Sequence, residues 1–215
     1  YARPAVFEGG DRTNLSAIAR QGAGMVDLMR AGKGQLLVRA GDIASLNVGA
    51  LSTAEATERE LALTVTNLSD DPIAFLPQAR MQFADDEGQG LAVRLPDEPM
   101  TLAGKATVDV PVTFAFDPAA LRAWPLLGPG GGSVTAVQSV ELDGYVTLQP
   151  LDADGAADEA ALAPSVPFYA LARQASDIAA RVATSAAADA LHLANGAPFA
   201  GRAEAYLVPW LDDRS

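Results

Sequence analysis

Polar and apolar positions alternate with a period of two through most of the middle of the chain. In residues 60–67, Leu61, Leu63 and Val65 fall on one face and Thr64 and Thr66 on the other. In residues 106–116, Val108, Val110, Val112, Phe114 and Phe116 share one face. Pro111 lies opposite, which places that strand at a sheet edge or a bulge. Residues 140–148 alternate again, and 36–38, 45–49, 73–76, 79–83, 91–95 and 166–171 are shorter strand candidates. Turn-forming clusters separate them at 67–72, 85–88 and 152–159, and 117–121 reads as a helical turn. Strands at short intervals with turns between them predict an antiparallel β-sandwich.

Both ends of the chain have a different texture. Residues 15–20 form a short helical patch, and Gly22 and Gly24 make a turn. Met25, Val26, Leu28 and Met29 then supply the apolar contacts of a second short helix, stopped by Gly32 and Gly34. Beyond residue 173 the stretches 178–182, 190–195 and 202–208 read as strands, with Leu191, Leu193, Tyr206 and Val208 as their core face. The alanine-rich run 183–190 is equally compatible with helix. Three strands are too few for an independent sandwich. The expected organisation is a helical segment over 1–34, a sandwich over 35–172 and a partial second β domain over 173–215.

Composition removes whole classes of chemistry. The chain of 215 residues has no cysteine, which excludes disulfides, thiolate catalysis and cysteine–zinc sites. Its single histidine, His192, excludes a histidine-rich metal site. A formal charge of −12 without a basic stripe argues against nucleic acid as a partner. No apolar run approaches the ~18–20 residues of a membrane-spanning helix. The opening Tyr1-Ala2-Arg3-Pro4 has no signal-peptide character and suggests a chain that begins mid-protein.

Few residues invite a site. A nucleophile needs a base, and any such constellation here passes through His192. His192 stands between Leu191 and Leu193, so it is expected to be an outward-facing strand residue. Asp152, Asp154, Asp158 and Glu159 offer hard oxygen ligands for calcium, but their loop lacks the length and glycine position of an EF-hand. The expectation is a solvated hairpin tip, with calcium at 152–159 as the alternative; Asp85-Asp86-Glu87 reads the same way. The glycine-rich run 128–132 lacks a following Lys-Ser/Thr and is read as a linker rather than a phosphate cradle. Trp124 beside Pro125, and Trp210 beside Pro209, read as packed corners rather than ligand platforms. No catalytic, cofactor-binding or metal-binding residue is assigned, and no cofactor.

One set of segments carries a family resemblance. Gln21-Gly22-Ala23-Gly24-Met25-Val26-Asp27, followed by Met29-Arg30-Ala31, resembles the end of a subtilisin-like serine protease domain. In the larger members of that family a fibronectin type III-like sandwich follows. The order here is similar, with Leu63-Thr64-Val65-Thr66-Asn67 running into a turn. Leu142-Asp143-Gly144-Tyr145-Val146-Thr147-Leu148 resembles the strand before that domain's acidic loop. Ser165-Val166-Pro167-Phe168-Tyr169-Ala170-Leu171 resembles its closing strand. The strands 191–195 and 201–206 look like the start of a further accessory sandwich. The family's Asp-Thr/Ser-Gly, His-Gly-Thr and Gly-Thr-Ser-Met-Ala motifs are all missing, so no catalytic residue carries over and the chain is expected to be inactive alone. The resemblance implies a non-catalytic C-terminal accessory segment of a secreted or cell-envelope subtilisin-like endopeptidase. Its implied partners are the parent's catalytic domain and the parent's protein or peptide substrate. The alternative is a free-standing extracellular adhesion or ligand-binding module.

Overall fold

The alternating segments pair into two sheets whose apolar faces meet. The computed structural model describes residues 2–3, 16–123, 140–184 and 189–199. Strand β1 (Ala2–Arg3), helix α1 (Ile18–Gln21), strand β2 (Met25–Val26) and helix α2 (Leu28–Lys33) come first. They are followed by β3 (Leu36–Arg39), β4 (Leu46–Thr53), β5 (Thr57–Asn67), β6 (Ile73–Met81) and a 3-10 turn at Ala84–Asp86. Then come β7 (Leu91–Arg94), β8 (Met100–Leu102), β9 (Thr107–Phe116), β10 (Glu141–Pro150) and β11 (Ser165–Gln174). A hairpin of β12 (Ile178–Thr184) and β13 (Asp189–Asn195) completes the described elements.

One sheet has the order β3-β5-β9-β7 and the other β4-β11-β10-β6-β8. The first reproduces the ABED order of constant-type immunoglobulin domains, and β11-β10-β6 reproduces GFC. All the sandwich pairings are antiparallel except that of β4 with β11. The protein is mainly β, with an Ig-like sandwich.

The core follows from the period-two pattern. Val110, Val112, Phe114 and Phe116 of β9 and Leu63 and Val65 of β5 are buried against Phe75, Val146, Leu148 and Phe168 of the opposite sheet. Phe114 meets Phe168 edge to face, with ring centroids 5.5 Å apart across the sandwich. Pro111 is exposed on the other face of β9, beyond Thr113, where pairing with β7 has ended. Gly144 makes room for this packing: a Cβ there would lie 2.2 Å from Arg80 O and 2.5 Å from the Phe168 ring.

Three local expectations need correction. Residues 73–76 and 79–83 are not two strands; Ile73–Met81 is one, running through Pro77. Leu148, opposite Pro77, sends its N–H to Pro164 O on the far side, and β8 pairs only with Ile73–Phe75. Nothing beside Pro77 therefore requires an N–H. Residues 25–29 are not one helix: Met25 and Val26 pair with Arg3 and Ala2, and a new helix starts at Leu28 with Asp27 as its cap, Oδ1 accepting from Arg30 N at 3.0 Å. Leu191 and Leu193 do not form a core face. They are 46% and 53% exposed on a two-stranded hairpin. Tyr206 and Val208, with the rest of 202–208, lie outside the described residues, as do 128–132, Trp124 and Trp210.

Candidate functional site: an acidic pocket beneath the N-terminal segment

Glu141, Asp143 and Tyr145 occupy alternate positions of β10, on the face turned away from the core residues Leu142, Val146 and Leu148. In a bare sandwich that face would be wet. Here the segment around α1 lies across β10 and β11, and Ser16, Ala17 and Ile18 are buried there. Beneath it Asp143 is 1% exposed; further along the same face Tyr145, with Arg80 over its ring, is 3% exposed.

The segment is tied down by backbone groups. Ile18 N donates to Asp143 Oδ2 at 2.6 Å. Ser16 O accepts from Gln82 Nε2 at 3.3 Å and from Gln21 Nε2 at 2.5 Å. Behind Asp143, Gln82 N donates to Asp143 O at 2.8 Å and continues the β6–β10 ladder.

A second carboxylate completes the pocket from the side. Asp86, at the end of the 3-10 turn, is buried against Arg122, whose Nη1 donates to its Oδ1 at 2.5 Å. Arg122 Nη2 donates to Asp85 O at 2.5 Å and lies 3.7 Å from Asp85 Oδ2. Ala17, Phe83, Asp85, Asp86, Arg122, Glu141 and Asp143 together enclose a cavity of about 290 Å³. Asp143 Oδ1, Glu141 Oε2 and Tyr145 Oη are buried without a hydrogen-bond partner.

The electrostatics follow from burial. Desolvation pushes the Asp143 carboxyl up to about 6, with the Ile18 N–H pulling the other way and the charges of Asp86 and Glu141 adding to the rise. Desolvation also raises Asp86, against the bond and charge of Arg122. Burial is the main cause that pushes Tyr169 up to about 12, helped by the charge of Glu141, to which its hydroxyl donates at 3.3 Å. Tyr145 is raised by burial too, while the Arg80 guanidinium, 5.2 Å from its ring centroid, works against the rise. The arrangement accepts hydrogen bonds and positive charge; it contains no nucleophile–base pair.

Of these residues only Asp85 and Asp86 drew notice in the sequence, as a solvated turn with calcium as the alternative; Asp86 is instead buried against Arg122. Asp143 and Glu141 look like the solvated side of an alternating strand, and Asp86 like a member of an acidic turn. The only signal was indirect: a strand-facing Asp between a Glu and a Tyr, in a chain with apolar residues to spare at 17–29. His192 is exposed on β13, opposite Arg181, on a hairpin whose Leu191 and Leu193 are exposed as well. In the 152–159 loop, Asp152 Oδ1 accepts from Asp154 N and Ala156 N, and Asp158 Oδ1 from Ala160 N and Ala161 N. These carboxylates shape the loop as Asx turns. Among the described residues, no group of three or more His, Cys, Asp or Glu side chains could hold a metal ion, and no helix is long and apolar enough to cross a membrane.

No family model and no curated protein matches the chain. Among solved structures it is similar to a PapD-like domain of human CEP192, at 11% identity and a TM-score of 0.39, over 66% of this chain and 88% of that one. The class 5 fimbrial chaperone CfaA overlaps with 10% identity and a TM-score of 0.35, over 75% and 67% of the two chains. The secreted serine protease VesC from Vibrio cholerae overlaps with 15% identity and a TM-score of 0.37, over 71% of this chain and 25% of that protein. At such values none of these likenesses bears on what the chain does.

Proposed function

We propose that the chain is a non-catalytic accessory module of a larger, secreted subtilisin-like serine endopeptidase, bracing the catalytic domain and shaping substrate access or surface attachment. The observation that carries this reading is a contrast along the N-terminal segment. Its first part is packed on the sandwich, with Ala17 and Ile18 buried. Its later part presents Met25, Val26, Leu28 and Met29, which are 68%, 67%, 79% and 73% exposed. Four neighbouring large apolar side chains left in water are an interaction surface rather than scattered surface residues. Burying them could contribute ~1.5–3 kcal/mol each. A segment anchored to the sandwich at its start and exposing large apolar side chains further along is suited to join it to a neighbouring domain. The family resemblance of residues 21–31 supplies the identity of that neighbour.

Two measurements test the reading. The coding sequence upstream of Tyr1 is expected to hold a Gly-Thr-Ser-Met-Ala-like segment within roughly 150 residues, the scale of one domain. Unrelated upstream domains would refute the family. In the parent protein, Leu28→Ser with Met29→Ser should loosen the contact between catalytic domain and sandwich, read as faster amide exchange over residues 25–33, while the sandwich core keeps its protection. The isolated chain should label with no serine-directed fluorophosphonate and cleave no casein. The second reading, a free-standing extracellular ligand-binding sandwich, is favoured by the acidic pocket.

A further inference from the structure

We propose that the pocket bounded by the 83–86 turn, Arg122 and β10 binds an organic cation, a guanidinium or primary ammonium head carried on an alkyl chain. The proposal does not depend on the peptidase reading.

The first ground is unmet hydrogen bonding. Asp143 is 1% exposed and uses Oδ2 on Ile18 N, while its Oδ1 has no donor. Two residues along the same strand face, Glu141 Oε2 is also buried and without a donor. Buried carboxylate oxygens lacking donors are costly, and both residues are walls of one cavity. The second ground is charge. Asp85, Asp86, Glu141 and Asp143 line the cavity with Arg122 as the one cationic wall residue, and its guanidinium already bonds Asp86 and the Asp85 carbonyl. A further positive charge is the complement this wall lacks.

The third ground decides the chemical class. The carboxylates do not converge as metal ligands do. Oxygens spread around a cavity are better met by several directed N–H groups, which a guanidinium offers in a planar fork and an ammonium in a tripod. About 290 Å³ accommodates a head group of that size and falls at the small end for a whole ligand. Ala17 and Phe83 provide apolar surface for the alkyl chain. The same chemistry could arrive as an arginine or lysine side chain of a protein partner or as a free alkylamine.

The test uses the whole chain, isotope-labelled, at neutral pH and fixed ionic strength. It is titrated with butylguanidinium, butylammonium, tetramethylammonium and an end-blocked Ala-Arg-Ala peptide. Butylguanidinium or butylammonium should shift the backbone resonances of Ile18, Asp86, Glu141 and Asp143 saturably. Tetramethylammonium, with the charge but no N–H, should not. Asp143→Asn should weaken binding by roughly tenfold or more, as expected for a lost charge-assisted bond. Glu141→Gln, which leaves the Ile18 anchor intact, should weaken it too. A peptide that binds more tightly than butylguanidinium supports a protein partner as source, and equal binding supports a free amine. Absence of saturable shifts, equal shifts with tetramethylammonium, or unchanged binding in both variants would overturn the site.

Discussion

Ile18 and Asp143 are joined by a 2.6 Å hydrogen bond from a backbone N–H at the start of α1 to a carboxylate in the middle of a sheet strand. That bond fixes where the N-terminal segment crosses the sandwich. It also buries an ionisable group at the place of crossing.

The anchor can be separated from the charge. Asp143→Ala leaves Ile18 N–H buried without its acceptor and should cost about 1–3 kcal/mol. Asp143→Asn keeps an acceptor and removes a charge whose burial the fold opposes, so at pH 7 it should stabilise, by up to roughly 3 kcal/mol. Amide exchange at residues 18–21 should accelerate in the alanine variant and stay near wild type in the asparagine variant. Equal exchange in the two would show that the bond does not hold the segment.

The same carboxylate makes stability depend on pH in an unusual direction. Its folded value of about 6 lies above the ordinary 3.8, so between these values the folded protein binds more protons than the unfolded one. Stability from this group therefore rises as pH falls through about 6 and levels off below about 4, a total of roughly 3 kcal/mol. Other carboxylates contribute their own slopes, so the informative quantity is wild type minus Asp143→Asn across pH 4–8. A difference that is flat with pH would mean that Asp143 titrates normally.

Asn67 ends β5 fully buried and satisfies both ends of its amide. Its Nδ2 donates to Asp71 O, Leu102 O and Ala103 O at 2.8, 3.1 and 3.2 Å, and its Oδ1 accepts from Ser69 N and Ser69 Oγ at 2.9 and 2.7 Å. Asn67→Ala should destabilise by about 2–4 kcal/mol, since three carbonyls lose a donor. Asn67→Asp should be worse, because it turns a second acceptor toward those carbonyls. Denaturant melts that rank the aspartate variant above alanine would contradict this network.

Two core substitutions probe the sandwich. Val110 is fully buried and pairs with Leu63, so Val110→Asp should cost several kcal/mol, about the penalty of an unpaired buried charge after relaxation. Gly144→Ala forces a methyl against Arg80 O and the Phe168 ring, and should lower the melting temperature by several degrees or more through overpacking. An unchanged melting temperature in either variant would place that residue off the core.

The sandwich was legible because its strands are half-buried, and half-burial writes itself as alternation. Val108 to Phe116 and Leu61 to Val65 declared both their strands and their inner faces. Pro77 hid the continuity of β6, because a proline is tolerated where one side of a strand lacks a partner, and that depends on where β8 stops. The acidic pocket was not legible. A polar outer face looks the same whether water or another segment covers it, and what decides is the path of residues 16–23 in space. The short apolar run at 25–29 was visible, but its division into a strand and a helix depends on a pairing with residues 2–3.

The parallel pairing of β4 with β11 has a consequence for how the chain reaches its fold. Leu46 registers with Phe168 and Thr53 with Gln174, so an early strand must wait for the last one of the sandwich before it gains a neighbour. Closing so long a loop precedes any reward from that contact, and topologies of this kind fold slowly. On the ribosome, β4 would emerge with its edge bare and remain so until residue 174 had cleared the exit tunnel. In that interval β4 has two open edges instead of the one it keeps as the outermost strand of its sheet, so strand-to-strand aggregation threatens most then and a holding chaperone would have most to do.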